Sequence, residues 1–362
     1  MSAPRPRSPL LDLPPYIGGR EKVEGIAEPY KLSANENPLG PSPAALAALA
    51  DLPSLAIYPD GGAQALRDKL AALNDIEADR IICGNGSDDI LQLLAQAYLA
   101  PGDNMLHSAH GFLIYKLASR AAGADTISVP EKDLTADVDA LLANVDDATK
   151  IVFLANPNNP TGTMLGRDAI ARLHAGLPDH VILVLDGAYA EYVEPDIYPH
   201  GFDLVDAHAN VVTTRTFSKA YGLAGLRLGW GYCPPGIADV LNRLRAPFNV
   251  NQAAVFAGLA ALDDQPHIIQ SRAHNTQWRD WLCQQIGGLG LAVRGGQANF
   301  VLIEFATPEQ AKAAEAAMCA QGVIPRGLAA YDLPHALRLS VGTQAGNRAA
   351  IDALAQFLET VK

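Results

Sequence analysis

Four short apolar runs between residues 81 and 214 each lead into a string of glycine and polar side chains, and this pattern restricts the fold most. Ile81-Ile82-Cys83 runs into Gly84-Asn85-Gly86-Ser87-Asp88, and the run at 151–154 into Asn156-Pro157-Asn158-Asn159-Pro160-Thr161-Gly162. The run at 181–185 stops at Asp186-Gly187-Ala188-Tyr189, and that at 211–214 leads to Thr216-Phe217-Ser218-Lys219. Runs of Val, Ile and Leu this continuous suit strands buried on both faces, with intervening segments of helical spacing, such as 90–99, as the cover. The implied class is α/β, a mainly parallel sheet flanked by helices. In such a sheet, ligands sit outside the carboxyl ends of the strands, so the four polar strings should converge on one rim.

After Asn251 the pattern changes. Helical stretches at 252–263 and 267–286 lead to strand-like runs at 300–304 and 337–341, which read as a smaller α+β domain. A chain of 362 residues is long enough for a large domain with such a companion. Residues 1–30, rich in Pro and Gly, read as an extended arm; Asn37-Pro38-Leu39-Gly40-Pro41-Ser42-Pro43 reads as a turn, and 44–51 as a helix. The expected division is an arm at 1–43, a large domain at 44–255 and a small domain at 256–362.

Charge and composition remove several classes of function. A formal charge of -12 disfavours nucleic acid as the main partner, since phosphate backbones call for clustered Lys and Arg. No stretch approaches the roughly 20 apolar residues of a membrane helix, and Met1 to Leu13 holds no apolar run suited to a secretory signal. Cys83, Cys233, Cys283 and Cys319 are dispersed, without metal-ligand spacing, which fits free thiols in a reducing compartment and a cytoplasmic protein with no metal.

The polar strings suggest a chemistry. Gly84 and Gly86 let successive N–H groups converge on an anion where a helix begins. Taken alone, that turn is better explained by Ser87 or Asp88 capping the helix. Lys219 is different. A lysine near the end of a buried strand favours its neutral amine, the form that condenses with an aldehyde, although a lone loop lysine is usually a solvated one. Thr216, Ser218 and Arg227 around it suit an anionic group. Asp186, directly after an apolar run, needs either a cap role or a cationic partner, and a protonated pyridine nitrogen is one such partner. Tyr189 and Asn159 then have the donors to hydrogen-bond a phenolic oxygen on such a cofactor ring.

These residues lie in strings that resemble a known family. Lys31-Leu32-Ser33-Ala34-Asn35-Glu36-Asn37-Pro38, Gly84 to Asp88, Asn156 to Gly162, Thr214 to Arg227, Arg245-Ala246-Pro247-Phe248-Asn249-Val250 and Arg338-Leu339-Ser340-Val341-Gly342-Thr343 are similar to those of the histidinol-phosphate aminotransferases. The likeness runs in order from about Tyr16 to Thr343. The lysine and Asn-Pro-Thr-Gly strings mark the pyridoxal 5'-phosphate (PLP) enzymes of the aspartate aminotransferase-like fold type I, and Asn-Glu-Asn-Pro and Pro-Phe-Asn-Val narrow the branch.

The resemblance implies that Lys219 forms the Schiff base, Asp186 pairs with the pyridinium nitrogen, and Tyr189 and Asn159 hold the phenolic oxygen. Ser87, Asp88, Thr216, Ser218 and Arg227 would surround the phosphate, and Phe112 would stack on the ring. Tyr58 would reach the cofactor phosphate of a neighbouring subunit, which implies a homodimer in which the N-terminal arm takes part. Arg338 would anchor a substrate carboxylate or phosphate, with Arg326, Tyr16 and Asn159 as further substrate contacts.

The implied reaction is a ping-pong transfer of an amino group from L-histidinol phosphate to 2-oxoglutarate. An aromatic (Phe/Tyr) aminotransferase and, behind it, a decarboxylase of phosphorylated amino acids are the alternatives within the fold; a ligand-sensing module is the alternative outside enzymes, disfavoured by the presence of Lys219. There are two departures from the family pattern: Gly187 stands where glutamate is usual, and His110-Gly111-Phe112 where Pro-Thr-aromatic is common.

Overall fold

The structure, a computed structural model, describes residues 8–11, 13, 18, 20–198 and 200–360. Its centre is a seven-stranded sheet. In spatial order the strands are Ile81–Gly84, Gly229–Tyr232, Val211–Thr216, Ile182–Asp186, Thr149–Ala155, Asn104–Ser108 and Asp125–Val129. Gly229–Tyr232 runs against both of its neighbours, and the remaining pairs are parallel. The other six strands therefore point the same way, and the four expected polar strings do emerge at one rim.

The sequence of the central strands explains their burial on both faces. Successive side chains point to opposite sides of a strand. Val152, Leu154, Leu183, Leu185 and Val211 enter one core cluster, while Ile151, Phe153, Ile182, Val184 and Val212 enter another on the opposite face. With apolar layers on both sides, alternation of apolar and polar residues disappears and a continuous apolar run remains.

Four strands of the sheet match the apolar runs read from the sequence. Asn104–Ser108, Asp125–Val129 and Gly229–Tyr232 do not stand out there, because they are interrupted by Asn104, His107, Asp125, Ser128 and two glycines. The helix expected at 44–51 is Pro43–Ala50, one residue earlier: Ser42 Oγ accepts from Ala45 N at 3.2 Å and Pro43 takes the first turn, where a missing N–H costs nothing. The arm read as extended includes a short helix, Ser8–Leu11.

A second sheet of four antiparallel strands follows, ordered Ala292–Arg294, Phe300–Glu304, Ala336–Ser340 and Arg326–Gly327. Its core joins Leu282, Val301, Ile303, Met318, Leu339, Leu354 and Phe357. Tyr30–Lys31 pairs in parallel with Val323–Ile324, and Leu32 enters that same core. The boundary expected at 255/256 falls inside the helix Gln252–Asp263, whose buried Ala254, Ala257, Ala261 and Leu262 pack into the core of the large sheet.

Candidate active site

The rim of the large sheet and the strand Ala336–Ser340 enclose a cavity of about 290 Å³. Ser87, Asp88, Phe112, Asn159, Asp186, Tyr189, Thr216, Ser218, Lys219, Arg227, Arg326 and Arg338 all line it, so most of the residues singled out from the sequence do meet. Tyr58 stands apart: its ring is 78% exposed and stacks on Phe248 at 4.5 Å. Tyr16 lies outside the described residues.

Lys219 follows the strand Val211–Thr216 and turns inward. Its Nζ donates to Ala34 O at 3.2 Å and lies 5.8 Å from the centre of the Tyr189 ring. Burial, helped by the nearby Arg338 guanidinium, pushes the Lys219 ammonium down to about 8. A substantial fraction of neutral amine at physiological pH follows.

Asp186 ends its strand 3% exposed. Tyr115 OH donates to one carboxylate oxygen at 2.7 Å and Thr214 Oγ1 to the other at 3.1 Å. Burial raises the Asp186 carboxyl, and the two hydrogen bonds oppose that rise. A cation facing it would oppose the rise further, which is what a protonated ring nitrogen would do.

At another part of the cavity the helix Ser87–Tyr98 begins. Its N-cap is Gly86, with φ at 91° and no side-chain cap, so Ser87 and Asp88 do not cap this helix as expected. The backbone N–H groups of this helix start are thus directed at the cavity end. Arg227, itself left-handed at φ 55°, donates to Ser218 Oγ at 3.2 Å and lies 3.5 Å from Asp88. A Cβ on Gly86 would come within 2.6 Å of the Arg227 guanidinium, so glycine lets that guanidinium lie over the helix start. Hydroxyls, a guanidinium and a helix N-terminus at one end, with a buried carboxylate and an amine elsewhere, form a donor set that fits a phosphorylated pyridine aldehyde.

Asn159 and Tyr189 are already engaged by protein groups. Arg338 Nη1 donates to Asn159 Oδ1, and Asn35 Nδ2 donates to Tyr189 OH at 2.8 Å. Arg338 Nη2 also donates to Ser33 O at 2.7 Å. With Oδ1 accepting from Arg338, the Asn159 amide keeps its NH2 as a donor. Arg326 and Arg338 sit directly opposite each other on adjacent antiparallel strands.

Neither departure from the family pattern removes a group from the cavity. Gly187 is small because Arg215 fills the adjoining space: a Cβ there would lie 1.9 Å from Arg215 Nη1. That buried guanidinium donates to Tyr198 OH at 3.0 Å, and Tyr198 OH donates to Asn156 O at 2.9 Å. His110 is held by Glu131, through its backbone N–H at 3.1 Å and its ring at 2.8 Å.

Sequence reasoning missed several contributors. Asn35 lies inside the quoted Asn-Glu-Asn-Pro string but received no role. Tyr115 sits one helical turn after Phe112, and Thr214 shares a strand face with Thr216, so spacing alone offered both. Tyr331, a lining residue from the small domain, had no local signal.

Residues 27–354 match the family Aminotransferase class I and II. The histidinol-phosphate aminotransferase of Rhodospirillum centenum is 49% identical over 99% of this chain and 100% of its own length. That of Dinoroseobacter shibae is 50% identical over 97% of each. Among solved structures, histidinol-phosphate aminotransferase from Sinorhizobium meliloti, in complex with pyridoxal-5'-phosphate, has a TM-score of 0.90 at 28% identity and covers 100% of both chains. A tetra mutant of the aspartate aminotransferase of Thermus thermophilus has the same fold, with a TM-score of 0.81 at 22% identity, over 92% of this chain and 98% of that one.

Proposed function

The chain belongs to the class I and II aminotransferases, in the branch of the histidinol-phosphate aminotransferases and with their type I fold; from that premise we propose that it carries an amino group from L-histidinol phosphate to 2-oxoglutarate, giving imidazole-acetol phosphate and glutamate, with pyridoxal 5'-phosphate as cofactor.

The observation that carries the substrate assignment is the cross-strand pair Arg326 and Arg338, both lining the cavity that holds Lys219. Like charges directly opposite on a sheet repel, and two adjacent guanidinium groups suit a doubly charged phosphoryl group better than a single carboxylate. In the second half of the reaction the same pair would receive a carboxylate of the 2-oxo acid.

When bound, pyridoxal phosphate supplies an aldehyde that takes up the amino group and a ring that accepts the electron pair left at the donor's Cα. The remaining work falls to the chain. Ser87, Thr216, Ser218 and Arg227 would hold the phosphate, with Asp88 keeping Arg227 in place. Asp186 would hold a proton on the ring nitrogen, while Tyr115 and Thr214 keep its carboxylate aimed. Phe112 would lie against the ring. Tyr189 OH and Asn159 Nδ2 would donate to the phenolic oxygen. Lys219 Nζ, freed when the donor's amino group takes its place, would be the base that takes the proton from the donor's Cα and the acid that delivers it, on the same side, to the carbon that carried the cofactor's aldehyde. The two half-reactions share one site, so ping-pong kinetics follow.

A homodimer belongs to the same proposal. Leu55, Ile57, Tyr58 and Phe248 are exposed apolar side chains on the same chain, of the kind a partner surface covers, and Tyr58 would reach the partner's cofactor phosphate. The division into arm, large and small domains is supported by the separate cores, with the junction best placed after the helix Gln252–Asp263. Among the described residues no helix is long and apolar enough to cross a membrane; a cytoplasmic location is proposed on the strength of the free thiols.

Single-turnover rates with histidinol phosphate, phenylalanine and tyrosine, followed by the bound cofactor's absorbance, test the assignment. A strong preference for histidinol phosphate is expected. Equal or faster turnover of the aromatic amino acids would overturn the substrate assignment and leave the cofactor in place.

A further inference from the structure

Asn35 has no part in the steps above, yet it is buried, left-handed at φ 56°, and in contact with Tyr189. Three hydrogen bonds run in series through it. Asn35 N donates to Ser340 Oγ at 2.9 Å, Ser340 Oγ donates to Asn35 Oδ1 at 2.9 Å, and Asn35 Nδ2 donates to Tyr189 OH at 2.8 Å. A backbone N–H can only donate, so Ser340 Oγ is the acceptor in the first bond and its own proton must go elsewhere. Among the described residues Ser340 Oγ makes only these two bonds, which leaves Asn35 Oδ1 to accept that proton. The amide is thereby oriented with its NH2 toward Tyr189. Tyr189 OH receives a proton from that side, so its own proton is directed away from Asn35, toward the cavity that Tyr189 lines.

We propose that Asn35, held by Ser340, is a positioning residue that makes Tyr189 a hydrogen-bond donor to the cofactor's phenolic oxygen. The inference rests on the assignment of Tyr189 to that oxygen. An amide turned the other way would accept the tyrosine proton and leave the cavity facing a lone pair. Asn299 Nδ2 fixes the Asn35 backbone from the other side, donating to its carbonyl at 3.0 Å. Ser340 and Arg338 are two apart on one strand and so share a face, which places the control of the tyrosine proton on the strand that would also hold the substrate anion.

The test is the pH midpoint of the bound cofactor's visible absorption change in the resting holoenzyme. A donor to the phenolic oxygen stabilises its negative charge and weakens its hold on the proton of the neighbouring Lys219 nitrogen. Loss of the donor therefore moves the midpoint up, by about one unit for one hydrogen bond. Tyr189→Phe should give that shift. Asn35→Asp, which has the same shape but only acceptors, should give it too, and should add little in the Tyr189→Phe background. Ser340→Ala should shift the midpoint in the same direction and Ser340→Thr should restore it, which keeps the test open where Asn35→Asp fails to fold. A shift with Tyr189→Phe but none with Asn35→Asp or Ser340→Ala, or Asn35→Asp acting in full without Tyr189, would overturn the role of Asn35 and leave that of Tyr189. No shift with Tyr189→Phe would overturn both. A merely structural Asn35 would lower the melting temperature and leave the midpoint where it was.

Discussion

Lys219 owes its reactivity to where its strand ends. Since burial lowers its pKa to about 8, the neutral amine should fall about tenfold for each pH unit below that value. Uptake of pyridoxal phosphate by the cofactor-free protein should therefore quicken about tenfold per unit up to pH ~8 and then level off. A rate still climbing at pH 10, followed by the appearance of the visible band, would mark an ordinary solvated lysine. Replacing Lys219 with Ala should lower turnover by at least roughly 10²–10⁴-fold, the usual contribution of a positioned general base, as measured by steady-state assay. Gly187 offers a test of packing. Gly187→Ala puts a methyl group against the Arg215 guanidinium and should cost roughly 1–3 kcal/mol in chemical denaturation. Lys219 and Asp186 were legible in the sequence because each stands directly after a buried run. The reason for Gly187 was not, because Arg215 lies on a neighbouring strand and only the sheet brings the two together.

The elements that carry the site differ in how plainly the sequence announces them. The strands Thr149–Ala155, Ile182–Asp186 and Val211–Thr216 are buried on both faces, and their apolar runs say so. Asn104–Ser108 is just as buried, but it includes His107, whose ring is satisfied by Ser108 O and, across the sheet, by Ser128 Oγ. A pattern of apolar residues cannot reveal a strand whose polar member finds its partners only after folding. The cap of the helix Pro43–Ala50 was partly visible: Ser42 before Pro43 is a start signal that the turn cluster obscured. Ser42→Ala should cost about 1 kcal/mol of stability in urea denaturation, with the slope unchanged. On the small sheet, Arg338 uses two nitrogens of its fork on Asn159 and Ser33, and a lysine cannot reproduce that geometry. Arg338→Lys should raise KM for histidinol phosphate and for 2-oxoglutarate together; unchanged kinetics on both would show that the strand does not read the anion.

At the scale of the whole molecule, the cavity lies between the core of the large sheet and that of the small sheet, and it needs both. Tyr58 and Phe248 stack on each other in the open, outside either core. Sedimentation should therefore find a species of twice the 38.3 kDa chain, and Tyr58→Phe should leave that mass unchanged while weakening retention of the cofactor on dialysis. A monomer with full cofactor retention would remove the partner from the site. The series joining Tyr189, Asn35 and Ser340 has a consequence for how the protein is made. Asn35 and Ser340 are 305 residues apart, an interval that a ribosome takes roughly 15–60 s to traverse at 5–20 residues per second. During that time the large sheet and Lys219 emerge and can pack, while the wall that orients Tyr189 does not yet exist. The pocket is thus among the last features of a newborn chain to be completed, and a polypeptide released early would carry the reactive lysine without the structure that directs it.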